Sequence, residues 1–117
     1  MVLKPGGSVL ELCCGDGLLF ETFFSTSAAT VLAVDSDVAA IGHARRFNAA
    51  PGVEYRVHDI LGGLPSGHFD NIVWAGSLAY FTEAEIVTIL RAAVVSLGAT
   101  AILSGPTVAS NLAVPAL

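Results

Sequence analysis

Short runs of mainly β-branched, aromatic and other apolar residues alternate with segments of helical periodicity along the chain. Five runs have the length and the β-branched and aromatic content of strands: residues 9–12, 30–34, 53–57, 69–74 and 99–103. Helical patterns separate most of these runs, and a helix that crosses between two strands makes those strands parallel. We therefore expect an α/β fold, a Rossmann-like doubly wound parallel sheet of about five strands in the order 3-2-1-4-5 with helices on both faces.

Three helices are expected between these strands. The first covers residues 18–25, and the second follows the second strand and stops near Phe47. The third has the clearest start, because Thr82 and Glu85 have the spacing of a capping box, in which each side chain accepts a hydrogen bond from the other residue's backbone N–H. Gly98 is expected to end this helix.

The composition agrees with a covered sheet. The 117 residues are 54% hydrophobic and 13% charged, which is too apolar for a disordered chain and suits strands buried on both faces. This length predicts a single domain over residues 1–117. The formal net charge is −5 with only five Lys and Arg. Nucleic acid is not expected as a partner, because phosphate backbones are bound by clustered cations.

Targeting signals and metal-ligand spacings are not recognised in the chain. No apolar segment follows a basic start, so no signal peptide is expected and the location is expected to be cytoplasmic. The segment after Arg91 carries no charge, but glycines and prolines interrupt it, and a membrane span is not expected. Cys13 and Cys14 are adjacent and the three histidines are spread out, which predicts neither disulfides nor a metal site. We interpret both cysteines as packing residues.

Residues 11–17 carry the strongest functional signal. The stretch runs from an apolar strand with one carboxylate, Glu11, into a tight turn that contains Gly15 and Gly17. A carboxylate in an apolar strand is costly unless a polar group meets it, and glycines after a strand let a ligand approach the backbone. Asp35 ends the second strand. Because ligands of such sheets bind beyond the carboxyl ends of the strands, we expect a small, polar, ribose-bearing molecule there.

The negative charge near this turn distinguishes between a ligand with a pyrophosphate and a ligand with a positive charge. The dinucleotide fingerprint has three glycines and a helix N-terminus that faces a pyrophosphate, but Phe20 stands where the third glycine would be. Asp16 lies where the pyrophosphate would sit, with Glu11 just behind it. Two carboxylates repel a pyrophosphate and suit a cation. S-adenosylmethionine carries a sulfonium and an ammonium group and no phosphate, so it is favoured over a nicotinamide dinucleotide.

In these residues the chain resembles the class I S-adenosylmethionine-dependent methyltransferases. The first motif of that family matches Glu11-Leu12-Cys13-Cys14-Gly15-Asp16-Gly17, with Cys13 in place of the first glycine. Residues 31–35, 58–60 and 69–74 resemble the next three motifs in the family order. The resemblance implies backbone approach at the turn, ribose contacts after the second strand and adenine contacts after the third. The implied cofactor-binding residues are Glu11, Cys13, Gly15, Gly17, Asp35, Ser36, Asp59, Ile60 and Trp74.

The resemblance also implies direct methyl transfer from the cofactor to an acceptor. Tyr80 follows the fourth strand, where family members often place substrate-facing residues, so it is the candidate catalytic residue. The Asn/Asp-Pro-Pro-aromatic signature of many amino-group methyltransferases is absent after Trp74, where the sequence reads Ala-Gly-Ser-Leu. A small-molecule acceptor is therefore expected by elimination.

The chain is short for this family. The family sheet has seven strands, and the chain supplies five, which leaves the fifth strand as an open edge that invites pairing. A second copy, as a homodimer, or the chain's own tail would cover this edge, or the chain is a fragment truncated after the fifth strand. Two alternatives to an active enzyme stay open: a truncated, non-catalytic S-adenosylmethionine-binding module and, less favoured, a nicotinamide-dependent oxidoreductase.

Overall fold

The computed structural model describes residues 7–17, 30–74, 80–104 and 111–113. The elements in these ranges are β1 (Ser8–Leu12), β2 (Thr30–Asp35), α1 (Val38–Phe47), β3 (Val53–Val57), a 3₁₀ helix (Ile60–Gly62), β4 (Phe69–Trp74), α2 (Glu83–Ser96), β5 (Leu97–Ser104) and β6 (Asn111–Ala113). The helix predicted over residues 18–25 lies outside the described residues. No helix in the described ranges has both the length and the apolar character needed to cross a membrane.

The strands form one sheet in the order β3-β2-β1-β4-β5-β6. β1 lies inside the sheet and pairs in parallel with β2 and β4, while β3 and β5 extend the parallel sheet on either side. The predicted fold and strand order are therefore confirmed. β6 adds an antiparallel strand to the outer side of β5, so the tail of the chain itself pairs with the fifth strand. A strand of 3 residues is too short for a periodic pattern, which is why the sequence did not indicate it.

Each face of the sheet packs against one of the two described helices. Successive residues of a strand point to opposite faces. Leu10 and Leu12 of β1 share one buried cluster with Ile89 of α2. Val9 of β1 shares the other cluster with Ile41 of α1. The two clusters place α1 and α2 on opposite faces, as a doubly wound sheet requires.

The sequence predicted the start of α2 correctly and its end incorrectly. The predicted capping box is present, because the Thr82 backbone N–H donates to Glu85 Oε1 (2.8 Å) and the Glu85 N–H donates to Thr82 Oγ1 (3.1 Å). At the other end, Gly98 does not terminate the helix. α2 passes directly into β5 at Leu97, which pairs with Phe69 of β4. Pairing with β4 thus ends the helix before the glycine is reached.

One edge of the sheet is charged. β3 is the edge strand, and Glu54 and Arg56 are exposed on it. The Nη2 atom of Arg56 lies 2.7 Å from Oε2 of Glu54. Charged side chains on an edge strand oppose the addition of a further strand.

Candidate functional site

Glu11 is a buried carboxyl group in an apolar setting. Its side chain is 1% exposed, and its register partners in the neighbouring strands are Ala33 of β2 and Val73 of β4. Neither carboxylate oxygen has a hydrogen-bond partner among the described residues. Burial, and secondly the Asp35 carboxylate, raises the pKa of Glu11 from 4.5 to about 8. Without a cationic partner, Glu11 therefore keeps its proton at neutral pH.

The two glycines of the turn after β1 have different surroundings. Both have positive φ, +59° at Gly15 and +86° at Gly17. A Cβ at Gly15 would meet no atom of the described residues within 4 Å, so none of these residues occupies the space beside its backbone. A Cβ at Gly17 would lie 2.6 Å from the hydroxyl of Tyr55. Gly15 leaves room for a ligand, whereas Gly17 is fixed as glycine by packing inside the protein.

Asp35 joins the end of β2 to this turn. Its Oδ2 accepts a hydrogen bond from the Gly15 N–H (2.9 Å), and its Oδ1 accepts one from the Asp37 N–H (2.8 Å). Asp37, rather than Asp35 or Ser36, caps α1 by accepting from Ala39 N–H (2.9 Å). Asp35 and Gly15, predicted from separate motifs, are therefore brought into direct contact.

Asp59 and Ile60 lie in the loop that follows β3. Asp59 is exposed and caps the 3₁₀ helix by accepting from the Leu61 N–H (2.9 Å), while Ile60 is buried in the cluster that includes α2. The His58 backbone N–H donates to the Asp35 carbonyl (2.9 Å), which holds this loop beside the end of β2. His58 Nε2 lies 2.6 Å from the Gly63 carbonyl and closes the loop. The third motif thus lies next to the second.

Trp74 and Tyr80 have opposite environments. Trp74 ends β4 next to Leu12, is 2% exposed, and packs edge-to-face on Phe81 with ring centroids 5.4 Å apart. It belongs to the cluster on the α2 face, whereas Glu11 points to the α1 face. Tyr80 is 86% exposed just before α2. The structure therefore gives Trp74 a packing role at the strand end and leaves the Tyr80 ring in solvent.

The two cysteines also differ from each other. Burial, with Glu11 and then Asp35 as further causes, raises the pKa of Cys14 to about 12, so its thiol stays protonated, in agreement with a packing role. Cys13 has φ of +57°, in the left-handed region that favours glycine. A glycine, which the resemblance implies at this position, would adopt this backbone conformation without strain. In the described ranges, no group of three or more His, Cys, Asp or Glu side chains could hold a metal ion.

Tyr55 and Asn48 were not predicted as site residues, yet both contact the turn. Tyr55 is 4% exposed and packs against Gly17, and its hydroxyl donates to the Asn48 carbonyl (2.8 Å). Asn48 Nδ2 donates to the Asp16 carbonyl (2.6 Å). The sequence offered one indication of these contacts, which was a tyrosine within a predicted strand. When such a tyrosine is buried, its hydroxyl needs a polar partner nearby.

Alanine at Gly15 and at Gly17 tests whether the two glycines differ as described. Both substitutions impose a side chain on positive φ, but only Gly17→Ala also pushes a methyl group into Tyr55. Gly17→Ala is therefore expected to lose about 2 kcal/mol more unfolding free energy than Gly15→Ala, the usual scale of overpacking. Urea denaturation of the two variants measures the difference, and equal losses would contradict the contact with Tyr55.

Comparison with known proteins places the chain in a family. The sequence model of a family described as a methyltransferase domain matches residues 9–98. The chain belongs to this methyltransferase family. It is 31% identical over 91 residues to an uncharacterized methyltransferase of Synechocystis sp., which covers 77% of the chain. The resemblance to class I S-adenosylmethionine-dependent methyltransferases is thereby confirmed.

Solved structures of methyltransferases share the fold. The N-methyltransferase NodS of Bradyrhizobium japonicum, in complex with S-adenosylhomocysteine, superposes with a TM-score of 0.74 at 25% identity over 84% of the chain. Phosphoethanolamine N-methyltransferase 1 of Haemonchus contortus superposes with a TM-score of 0.80 at 20% identity over 90% of the chain. These relatives support S-adenosylmethionine as the cofactor of the family fold seen here.

The chain matches only part of each relative. It spans 42% of the Synechocystis protein, 50% of NodS and 23% of the Haemonchus enzyme. The matched residues 9–98 include all the predicted site residues, from Glu11 to Tyr80. The similarity therefore includes the predicted cofactor site, but it extends over only part of each methyltransferase that was compared.

Proposed function

We propose that this chain binds S-adenosylmethionine at the carboxyl ends of β1, β2 and β3 and supports methyl transfer to a small-molecule acceptor. The observation that carries the proposal is the Glu11 carboxyl group, which is buried beside a glycine turn with both oxygens unpartnered among the described residues. A buried carboxyl without a partner is costly, and a ligand with a positive group would supply that partner.

The residues present fit this cofactor. Its sulfonium and ammonium groups match the acidic pair of Glu11 and Asp35. A pyrophosphate would be repelled by the Asp35 carboxylate and would give the Glu11 carboxyl group no cationic partner. The open space at Gly15 gives a ligand access to the turn backbone. The family membership of residues 9–98 and the NodS complex with S-adenosylhomocysteine support the same cofactor.

Each predicted binding residue has a role in this proposal. The turn from Cys13 to Gly17 and the Glu11 carboxyl face the methionine end of the cofactor. Asp35 and Ser36 hold the ribose, and each Asp35 oxygen accepts one backbone N–H and keeps a further lone pair for a hydroxyl. Asp59 and Ile60 flank the adenine. Trp74, whose ring packs on Phe81, borders the site only through its position at the carboxyl end of β4.

When bound, the cofactor supplies an activated methyl group on its sulfonium. The chain's own contribution is to hold the cofactor in one orientation and to exclude water from its methionine end, which favours in-line transfer. Tyr80, exposed before α2, is the candidate residue toward the acceptor. A small-molecule acceptor is supported by the sequence after Trp74 and by the Haemonchus relative, whose complex holds phosphoethanolamine.

A non-catalytic S-adenosylmethionine-binding module is the second candidate. It is supported by the matched residues 9–98, which contain all the predicted cofactor residues and would bind the cofactor whether or not a methyl group is transferred. A nicotinamide-dependent oxidoreductase is the third and weakest candidate, because Phe20 and Asp16 oppose a dinucleotide. A single domain over residues 1–117, a cytoplasmic location and a homodimer remain predictions, and the pairing of β6 with β5 reduces the need for a second copy at that edge.

Calorimetric titration separates the three candidates. S-adenosylmethionine and S-adenosylhomocysteine are expected to bind at one site per chain, and NAD is expected to give no binding heat. Transfer of a labelled methyl group to a panel of small-molecule acceptors then distinguishes an enzyme from a module. Binding of NAD with neither adenosyl compound would overturn the proposal, and tight adenosyl binding without transfer would favour the module.

A further inference from the structure

The glycine turn is held from the side of α1 as well as from β2. Asn48 follows α1 as its C-cap, with its backbone N–H donated to the Ala44 carbonyl (2.8 Å). Its side-chain Nδ2 donates to the Asp16 carbonyl (2.6 Å). The turn and the helix end are 32 positions apart in the sequence, so this contact belongs to the fold and not to a local motif.

Tyr55 fixes Asn48 in this position. The Tyr55 hydroxyl donates to the Asn48 carbonyl (2.8 Å), and its ring lies against Gly17. The Tyr55 carbonyl in turn accepts from Arg45 Nε (3.1 Å) and Nη2 (2.8 Å), which ties β3 to the last turn of α1. Because Tyr55 is 4% exposed, it gives this arrangement a rigid base.

The two anchors act on adjacent residues of the turn. Asp35 accepts the Gly15 N–H, and Asn48 donates to the Asp16 carbonyl. Between these two atoms lies the peptide that joins Gly15 to Asp16. With Cys13, Gly15 and Gly17 all at positive φ, the turn is a conformation that surrounding contacts must maintain. Loss of the Asn48 anchor removes one of the two hydrogen bonds, from Asp35 and from Asn48, that flank this peptide.

We propose that Asn48, supported by Tyr55, is a positioning residue for cofactor binding: it fixes the peptide between Gly15 and Asp16 so that the open side of Gly15 stays aligned with Glu11. This inference rests on the proposed function. It predicts that the contact affects the methionine end of the cofactor, which the turn faces, more than the adenosine end, which Asp35 and Asp59 face.

The test compares S-adenosylhomocysteine with adenosine, which lacks the methionine end, by calorimetry on folded variants. Asn48→Asp keeps the shape and removes the donor, Ala49→Asp adds the same charge at an exposed neighbouring position, and Tyr55→Phe removes only the hydroxyl. Asn48→Asp is expected to raise the Kd of S-adenosylhomocysteine about tenfold and Tyr55→Phe about fivefold, the scale of one lost hydrogen bond. The Kd of adenosine should change less than twofold, and Ala49→Asp should leave both constants unchanged.

The outcomes distinguish this inference from the proposed function. Folded Asn48→Asp and Tyr55→Phe with wild-type affinity for S-adenosylhomocysteine would overturn it, and so would equal losses for both ligands, which indicate a general structural effect. If Asn48→Asp does not fold, Tyr55→Phe decides by the same criterion. A wild-type chain that binds neither ligand overturns the proposed function, and this inference with it.

Discussion

Replacement of Glu11 by glutamine is expected to raise the free energy of unfolding at pH 8 by on the order of 4 kcal/mol, with little change near pH 4.5. The folded chain keeps the Glu11 proton up to a pKa of about 8, whereas an unfolded chain releases it near 4.5. Between these values the unfolded state binds fewer protons, so the wild-type chain loses stability as the pH rises through this window. Glutamine cannot ionise and removes this loss. Urea denaturation of both proteins from pH 5 to pH 9 measures the difference.

An exposed carboxylate supplies the control for this experiment. Glu54→Gln makes the same chemical change on the edge strand, where Glu54 is exposed and paired with Arg56. Exposed ion pairs contribute little, so this variant should differ from wild type by less than about 1 kcal/mol at every pH. If the stability difference of Glu11→Gln stays flat across the pH range, the Glu11 carboxyl is not held in its protonated form.

The same Glu11 variant separates stability from binding. If Glu11 meets a positive group of the cofactor, the glutamine variant is more stable at pH 8 and yet binds S-adenosylmethionine more weakly. Glu11 would then lower the stability of the free chain and raise its affinity for the cofactor. Such a trade between stability and binding is expected for a residue of a functional site.

Asp35→Ala is expected to weaken S-adenosylhomocysteine binding by ~1.5–3 kcal/mol, which corresponds to roughly 10- to 150-fold in Kd. The substitution removes a charged acceptor for the ribose hydroxyls. It also removes the acceptor of the Gly15 N–H and so loosens the turn. Calorimetric titration of the folded variant measures the change in affinity.

Asp37→Ala is the matched control, because it removes the same charge two residues further on. Asp37 caps α1 through Ala39 N–H, so its loss should cost about 1 kcal/mol of unfolding free energy. The cofactor Kd should change less than about twofold, since Asp37 has no proposed contact with the cofactor. Equal affinities of wild type and Asp35→Ala would refute the ribose role of Asp35.

The features that the sequence predicted well depend on neighbouring residues. Strand β3 and strand β4 have the predicted bounds, because each is a short segment of β-branched and aromatic residues that begins directly after a turn sequence containing glycine. The capping box of Thr82 and Glu85 is equally local and is present with both hydrogen bonds. The order of the five parallel strands followed from the alternation of strands and helices and from the resemblance.

The features that the sequence missed depend on residues far apart in the chain. Gly15 and Gly17 look alike in a motif, but only Gly17 meets Tyr55, which lies on β3. The bond from Asn48 to Asp16 joins the end of α1 to the turn, and no spacing rule indicates it. Contacts of this kind arise only when distant segments pack together.

The charged edge at β3 limits where further strands can join the sheet. A strand added beside β3 would have to pair along Glu54 and Arg56, whose ion pair lies in solvent. On the other side, β6 contributes 3 residues and runs antiparallel to β5. We therefore expect any further strand, from a longer chain or from another molecule, to join beyond β6, while β3 remains a fixed boundary. Additional segments fused to this domain would then extend it away from β3.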